Sequence, residues 1–225
     1  MDLPGGGHDD HAFLASVSIT HVQYDEDDVV ALVMAYISLL PIFCLAAYAV
    51  LVLFQRDAAT IVALAGQLAN EAINYALKKL VRQPRPVSAL KHGGYGMPSS
   101  HAQFTGFLTT YTAIALLTRV TWRQTRWKAG VLAGLATAGI LVPVSRVYLR
   151  YHTAPQAVVG TVVGVGVALL WHVAVARRIL PLPLWVRRHP ITTFLLIRDI
   201  TLVPNWLQVS YDLANRLADQ HQKTQ

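Results

Sequence analysis

Apolar residues in this chain fall into five long runs separated by short breaks rich in Arg, Lys, Pro and Gly. The first, Val29 to Phe54, holds no charged residue and is long enough to cross a hydrocarbon core of ~30 Å as a helix. After a turn at Gln55–Asp57 the second run, Ala58 to Leu80, differs in kind. Gln67, Asn70, Glu71, Asn74 and Lys78 recur at i, i+3, i+4, i+7 and i+11, which lines one face of a helix. A polar stripe at membrane depth belongs against protein or a wet cavity. Its upper part reads equally well as a helix-packing seam, whereas Lys78, at the helix end, reads as functional. A Pro/Gly/Ser-rich loop covers 82–100. Helices follow at about His101–Thr118 and Trp127–Val144, a loop at Ser145–Pro155, and a fifth helix at about Gln156–Ala176, where Gly160 and Gly164 have the spacing that lets helices approach closely. The expected architecture is an all-α, polytopic transmembrane bundle of about five to six helices. Residues 1–28 form an acidic, loosely ordered tail, 29–178 the membrane-embedded core, and 179–225 a C-terminal, partly interfacial segment. In that segment Ile191–Val203 reads as an interfacial or packed amphipathic piece, with a sixth crossing as the alternative.

Composition agrees with a membrane protein: 54% of residues are apolar and 14% charged, against roughly 25% charged in soluble domains. The start is acidic and lacks the basic region of a cleavable signal, so the first run should remain as a helix. The single cysteine, Cys44, lies in that run and supports neither a disulfide framework nor a thiolate metal site. A net charge of +7 raises nucleic acid as a partner, but the basic residues are scattered between apolar runs and read as topology signals and anion ligands. Five crossings put Arg56, the 119–128 connection and Arg177, Arg178, Arg187 and Arg188 on one side, which the positive-inside rule makes cytoplasmic. The loops at 82–100 and 145–155 then face the lumen or exterior. The Lys and Arg residues in those loops are discounted as ligands.

Three short strings carry the candidate chemistry: KKLVRQPRP at 78–86, PSSH at 98–101 and SRVYLRYH at 145–152. The helical layout brings all three to one face of the membrane, with Lys78, Arg85 and Arg146 beside His101 and His152 and no fixed acid among them. Such a cluster wants an anion. Arg offers a planar fork for two phosphate oxygens and Lys a mobile point charge. The backbone N–H groups of Ser99 and Ser100, just before a helix, can point at the same anion with the helix dipole behind them. Of two histidines, one can attack phosphorus while the other protonates the leaving oxygen, the cations stabilising the equatorial charge. No metal and no cofactor is needed for that scheme.

Each string alone is common; their conjunction in this order resembles the three-part signature of the type 2 phosphatidate phosphatase superfamily. The matching residues are Lys78 and Arg85-Pro86, Pro98-Ser99-Ser100-His101, and Ser145-Arg146 with His152. The resemblance implies that His152 is a nucleophile forming a phosphohistidine, that His101 is the general acid, that Lys78, Arg85, Ser99 and Arg146 hold phosphate, and that the reaction is metal-independent. Two positions depart from the pattern: Ser100 stands where Gly is usual, and Gln156 where an Asp usually partners the nucleophile. Gln accepts the same hydrogen bond without charge, which should make His152 a weaker nucleophile. Glu71 and Asp199 are candidates to replace the missing acid.

Further stretches, GQLANEAINYALK (66–78), YGMPSSHAQF (95–104), SRVYLRYHTAPQ (145–156) and FLLIRDITLVPN (194–205), are similar to the branch of that superfamily that cleaves dolichyl pyrophosphate to dolichyl phosphate. The resemblance runs from about His21 to about Asn205. It implies a polyprenyl (dolichyl) pyrophosphate substrate, the endoplasmic reticulum membrane and a lumen-facing site, in the service of protein N-glycosylation, and leaves oligomeric state open. A phosphoanhydride expels a far better leaving group than an alkoxide, so a weaker nucleophile suffices. The rival readings are a broader lipid phosphatase and a non-catalytic lipid-phosphate binder; a pure binder has no need of two histidines. Trp122, Trp127 and Trp171 read as interfacial anchors, His172 as structural, and Lys91 and His92 as shaping the entrance.

Overall fold

The computed structural model describes residues 22–86, 94–119, 125–203 and 206–223. Lys91, His92, Trp122 and the acidic tail before residue 22 lie outside them. All the regular elements described are helical, apart from one isolated bridge between Asp57 and Arg198. The first crossing is two helices in line, α1 (Val29–Ser38) and α2 (Leu40–Gln55), broken at Leu39 because Pro41 in the next turn has no N–H to give. Asp28 starts it by accepting from Val30 N at 2.8 Å and Ala31 N at 3.0 Å. Arg56, in the left-handed region at φ 49°, ends α2, and Asp57 caps α3 (Ala58–Val81) through Thr60 N at 3.0 Å. Then come α4 (Ser100–Arg119), α5 (Thr125–Tyr148) and α6 (Ala154–Trp171), the last continuing through a π-turn at His172–Ala176 into α7 (Arg177–Ile179).

The rods Val29–Gln55, Arg126–Tyr148 and Ala154–Ile179 are long and apolar enough to span a bilayer. The other two, α3 and α4, are ~36 and ~30 Å long and pair through buried amides. Gln103 Nε2 donates to Asn70 O and Asn70 Oδ1, both at 2.9 Å, and Asn74 Nδ2 donates to Gln103 Oε1 at 2.8 Å. The middle of the α3 stripe is therefore a packing seam. α4 is the central rod, with Ala102, Gln103 and Phe107 wholly buried. It packs so closely on α6 that a Cβ at Gly160 would sit 2.6 Å from Ser99 O, and one at Gly164 would collide with Gln103 O. Trp171, read from sequence as an interfacial anchor, instead donates from Nε1 to Val62 O at 3.1 Å and ties α6 to α3.

One boundary differs from the sequence reading in a way that matters. The stretch beginning at Ser145, expected as loop, is helical through Tyr148 despite Pro143 inside the helix. Pro143 removes only its own bond to Gly139 O, and in a bilayer the remaining backbone groups still need intrahelical partners. Ser145 and Arg146 thus sit on the last turn of α5. Beyond α7 the chain makes α8 (Leu184–Arg187), α9 (Pro190–Phe194) and a 3-10 turn at Ile200–Leu202. This piece is clamped under the α2–α3 turn: Arg198 N donates to Arg56 O and Ala58 N to Arg198 O, each at 2.9 Å. A final helix, α10 (Trp206–Lys223), was not anticipated.

Candidate active site

The C-terminal end of α3, the start of α4, the end of α5 and the start of α6 meet at one end of the bundle. Local geometry explains the spacing of the third string. Arg146 O, on the last turn of α5, accepts from both Tyr151 N at 3.0 Å and His152 N at 3.1 Å, with Arg150 in the left-handed region at φ 58°. This turn fixes His152 above Arg146. Thr153 then caps α6 in a reciprocal arrangement with Gln156.

Arg146 is 5% exposed, His152 2% and Ser99 and Gln156 no more than 1%, so this is an interior site. The Arg146 guanidinium lies 4.0 Å from the centre of the Tyr151 ring, stacked by cation–π attraction. Ser99 Oγ, Arg85 Nε and Arg146 Nε are buried with no hydrogen-bond partner among the described residues. Three buried donors on three elements, with two positive charges among them, match the oxygens of a phosphoryl group, because a buried donor left unpaired is costly. Lys78 lies within the field of Arg85 and Arg146, and His101 within that of Arg146, His152, Lys78 and Arg85. Every residue expected at the site from sequence is brought to this end. One detail differs: the Ser99 N–H, expected to point at the anion, donates to Gln156 O at 3.1 Å because α4 starts hard against α6. Ser99 offers its hydroxyl, and Ser100 opens α4, whose N-terminal dipole end faces the cluster.

Gln156 does two jobs. Its Nε2 donates to Pro84 O at 2.9 Å and Gln83 Oε1 at 3.3 Å, both of which are acceptors only. That fixes the amide's orientation and leaves Oε1 to accept from Thr153 N at 3.3 Å and from His152 Nδ1 at 3.2 Å. His152 must then carry its proton on Nδ1, leaving the Nε2 lone pair for phosphorus. Burial, then Arg85 and Arg146, hold the His152 imidazole down to about 3, with the Gln156 bond opposing them. The ring is neutral at physiological pH, as a nucleophile requires. A carboxylate at 156 would also orient Nδ1, but it would set like lone pairs against Pro84 O and Gln83 Oε1. The amide is what joins the third string to the first.

Asp199 cannot replace the missing acid: it accepts from Leu182 N at 2.5 Å and Thr201 N at 3.0 Å at the opposite end of the bundle. Glu71, the other candidate, lies on the site-facing part of α3 beside Lys78. Its Oε1 is buried, and its charge acts on Lys78, so the cationic cluster has an acid at its edge. The contacts of Gln83 and Pro84 with Gln156 are between segments remote in the chain and left no sequence signal.

Comparison with known proteins agrees with this geometry. The family model described as PAP2 superfamily matches residues 56–180. The chain is 36% identical to dolichyldiphosphatase 1 of Mus musculus, over 92% of this chain and 91% of that protein. It is 32% identical to dolichyldiphosphatase of Saccharomyces cerevisiae, over 86% and 84%. In fold it is similar to the crystal structure of a transmembrane PAP2-type phosphatidylglycerolphosphate phosphatase from Bacillus subtilis, with a TM-score of 0.58 and 20% identity over 68% of this chain and 80% of that one. Motif, fold and relatives concur: this multi-pass membrane chain belongs to the PAP2 superfamily.

Proposed function

We propose that the chain hydrolyses dolichyl pyrophosphate to dolichyl phosphate and phosphate through a phosphohistidine at His152. The observation that carries this reading is the convergence of buried donors from Ser99, Arg85 and Arg146, unpartnered among the described residues, around two histidines. The choice of lipid is supported by the names of its relatives across most of the chain.

His152 Nε2 attacks the terminal phosphorus, and the bond from that phosphorus to the bridging oxygen breaks. Dolichyl phosphate departs as the leaving group with a proton from His101, which is held as imidazolium for this step by the negative charge of the bound pyrophosphate. Arg85, Arg146, Lys78 and Ser99 Oγ hold the equatorial oxygens throughout, which is most of what a loose phosphoryl transfer asks of a protein. Water then attacks the phosphohistidine, its proton passes to His101, and phosphate leaves with His152 neutral again. Gln156 keeps the Nδ1 proton in place across both steps. Because a phosphomonoester leaves easily, an uncharged partner for His152 is enough.

At the site-bearing end Arg146 is buried and Lys78 and Arg85 partly so, with Lys79, Arg82 and Arg150 exposed. The other end carries Arg177, Arg178, Arg187, Arg188 and Arg198, all exposed, as on a cytoplasmic surface. The site therefore faces the lumen of the endoplasmic reticulum, and the dolichyl phosphate released there serves protein N-glycosylation. Purified protein in EDTA should release phosphate from dolichyl pyrophosphate and act at least about tenfold more slowly on dolichyl phosphate or phosphatidate. Equal rates on phosphatidate would remove the pyrophosphate assignment, and loss of activity in chelator the metal-free one.

A further inference from the structure

The two seams of α6 are unlike. Toward α4 it is sealed by Gly160 and Gly164; toward α5 a groove of about 480 Å³ opens. Its walls are Ile140, Pro143, Val144 and Val147 on α5 and Ala157 and Val158 on α6, with hardly a polar atom. The reasons are local. Gly139 brings no side chain and Pro143, one turn later, cannot bond back to it. Across the gap Ala154 and Ala157 are small, and the Thr161 hydroxyl is engaged by Ala157 O at 3.1 Å.

The groove's ends settle what it is next to. One end is at Tyr148 and Ala154, the residues that flank the turn carrying His152. The Tyr148 ring is fixed there by its hydroxyl, which donates to Asp28 Oδ2 at 2.7 Å. On α5 the groove face and Arg146 occupy neighbouring sides of the same last turn. From Tyr148 back to Gly139 the groove runs ~13 Å down the helix.

We propose that this groove seats the first isoprene units of the substrate's polyprenyl tail, an inference that rests on the proposed activity. The tail is covalently continuous with a pyrophosphate held by Arg146 and His152, and the slot ends at Tyr148 and Ala154, which flank that turn, so it offers the first units an apolar path. The slot has room for about three isoprene units. Recognition should therefore sharpen from a five-carbon to a fifteen-carbon pyrophosphate and change little beyond that.

The test uses dimethylallyl, farnesyl and dolichyl pyrophosphates with full-length protein in detergent. Filling the slot by Val158→Trp should lower kcat/KM for farnesyl relative to dimethylallyl pyrophosphate by about tenfold or more. Leu169→Trp, on the same helix but outside the groove, should leave the ratio unchanged. A ratio unaffected by Val158→Trp means ordinary bilayer lipid fills the groove and overturns the proposal. Photolabelling of unaltered protein with a benzophenone-tailed prenyl pyrophosphate reads the same point without a mutant. Label on the α5 and α6 groove peptides supports it, and label confined to other helices overturns it. If the wild type cleaves no prenyl pyrophosphate the activity reading fails, while the labelling still reports whether the tail lies here.

Discussion

The two ends of the bundle are both rich in arginine, yet their arginines do different things. At one end Arg146 is 5% exposed, stacked on Tyr151, and its buried Nε has no partner among the described residues. At the other, Arg177, Arg178, Arg187 and Arg188 project outward, and Arg198 serves the chain itself, donating to Gln55 Oε1 at 3.0 Å and stacking over Trp206. Residue type alone does not separate a ligand from a topology signal; desolvation does. A buried cation stays buried only if something anionic visits it, whereas an exposed one needs no partner.

The contrast can be broken most forcefully at the nucleophile. His152→Ala should lower kcat for dolichyl pyrophosphate by about 10⁴-fold or more. Next, Arg146→Ala should cost about 10³-fold and Arg146→Lys about 10²-fold, since an ammonium lacks the fork. The double change Arg187→Gln with Arg188→Gln at the other end should leave kcat within about twofold and show instead as altered orientation in glycosylation mapping. Comparable losses from the two ends would erase the distinction.

A smaller effect sharpens the role of Gln156. Glu at this position restores a charge beside His152 but has no N–H for Pro84 O and Gln83 Oε1. Gln156→Glu should therefore lower kcat/KM about tenfold rather than raise it. A gain would mean that charge on the histidine outweighs the link between the first and third strings.

The smallest expected effect is on stability. Folded His152 titrates at about 3, below the ordinary 6.5, so between those values the unfolded chain binds a proton that the folded one does not. Stability should rise with pH across that window and fall on acidification from 6.5 toward 3. The thermal midpoint in micelles should follow that trend, and His152→Asn should reduce its slope.

Much of this was legible in the sequence because membrane helices announce themselves by apolar runs and the three strings sit at run ends. The paired role of Asn70, Asn74 and Gln103 as a seam was half legible, since spacing gives a face but not its partner. What stayed hidden was non-local or aperiodic. Gln156 meets Pro84 only in space. The segment around Arg198 is held by backbone bonds to Arg56 and Ala58 rather than by any pattern of its own. Helix α10 did carry a stripe, Trp206, Val209, Leu213 and Leu217, that the sequence reading passed over. At Ser145 the helix runs one turn beyond the expected boundary, because the mixed polar string SRVY gives no apolar signal of its own.

The claim beneath all of this is that His101 and His152 flank one phosphorus, with His152 taking the phosphoryl group. Rapid quenching of wild-type protein with terminally ³²P-labelled polyprenyl pyrophosphate, followed by peptide mapping, tests it directly. The account predicts an acid-labile, base-stable label on the peptide containing His152, formed and discharged within turnover and absent from His152→Ala. Label on His101, or full turnover with no labelled histidine under single-turnover conditions, would contradict it.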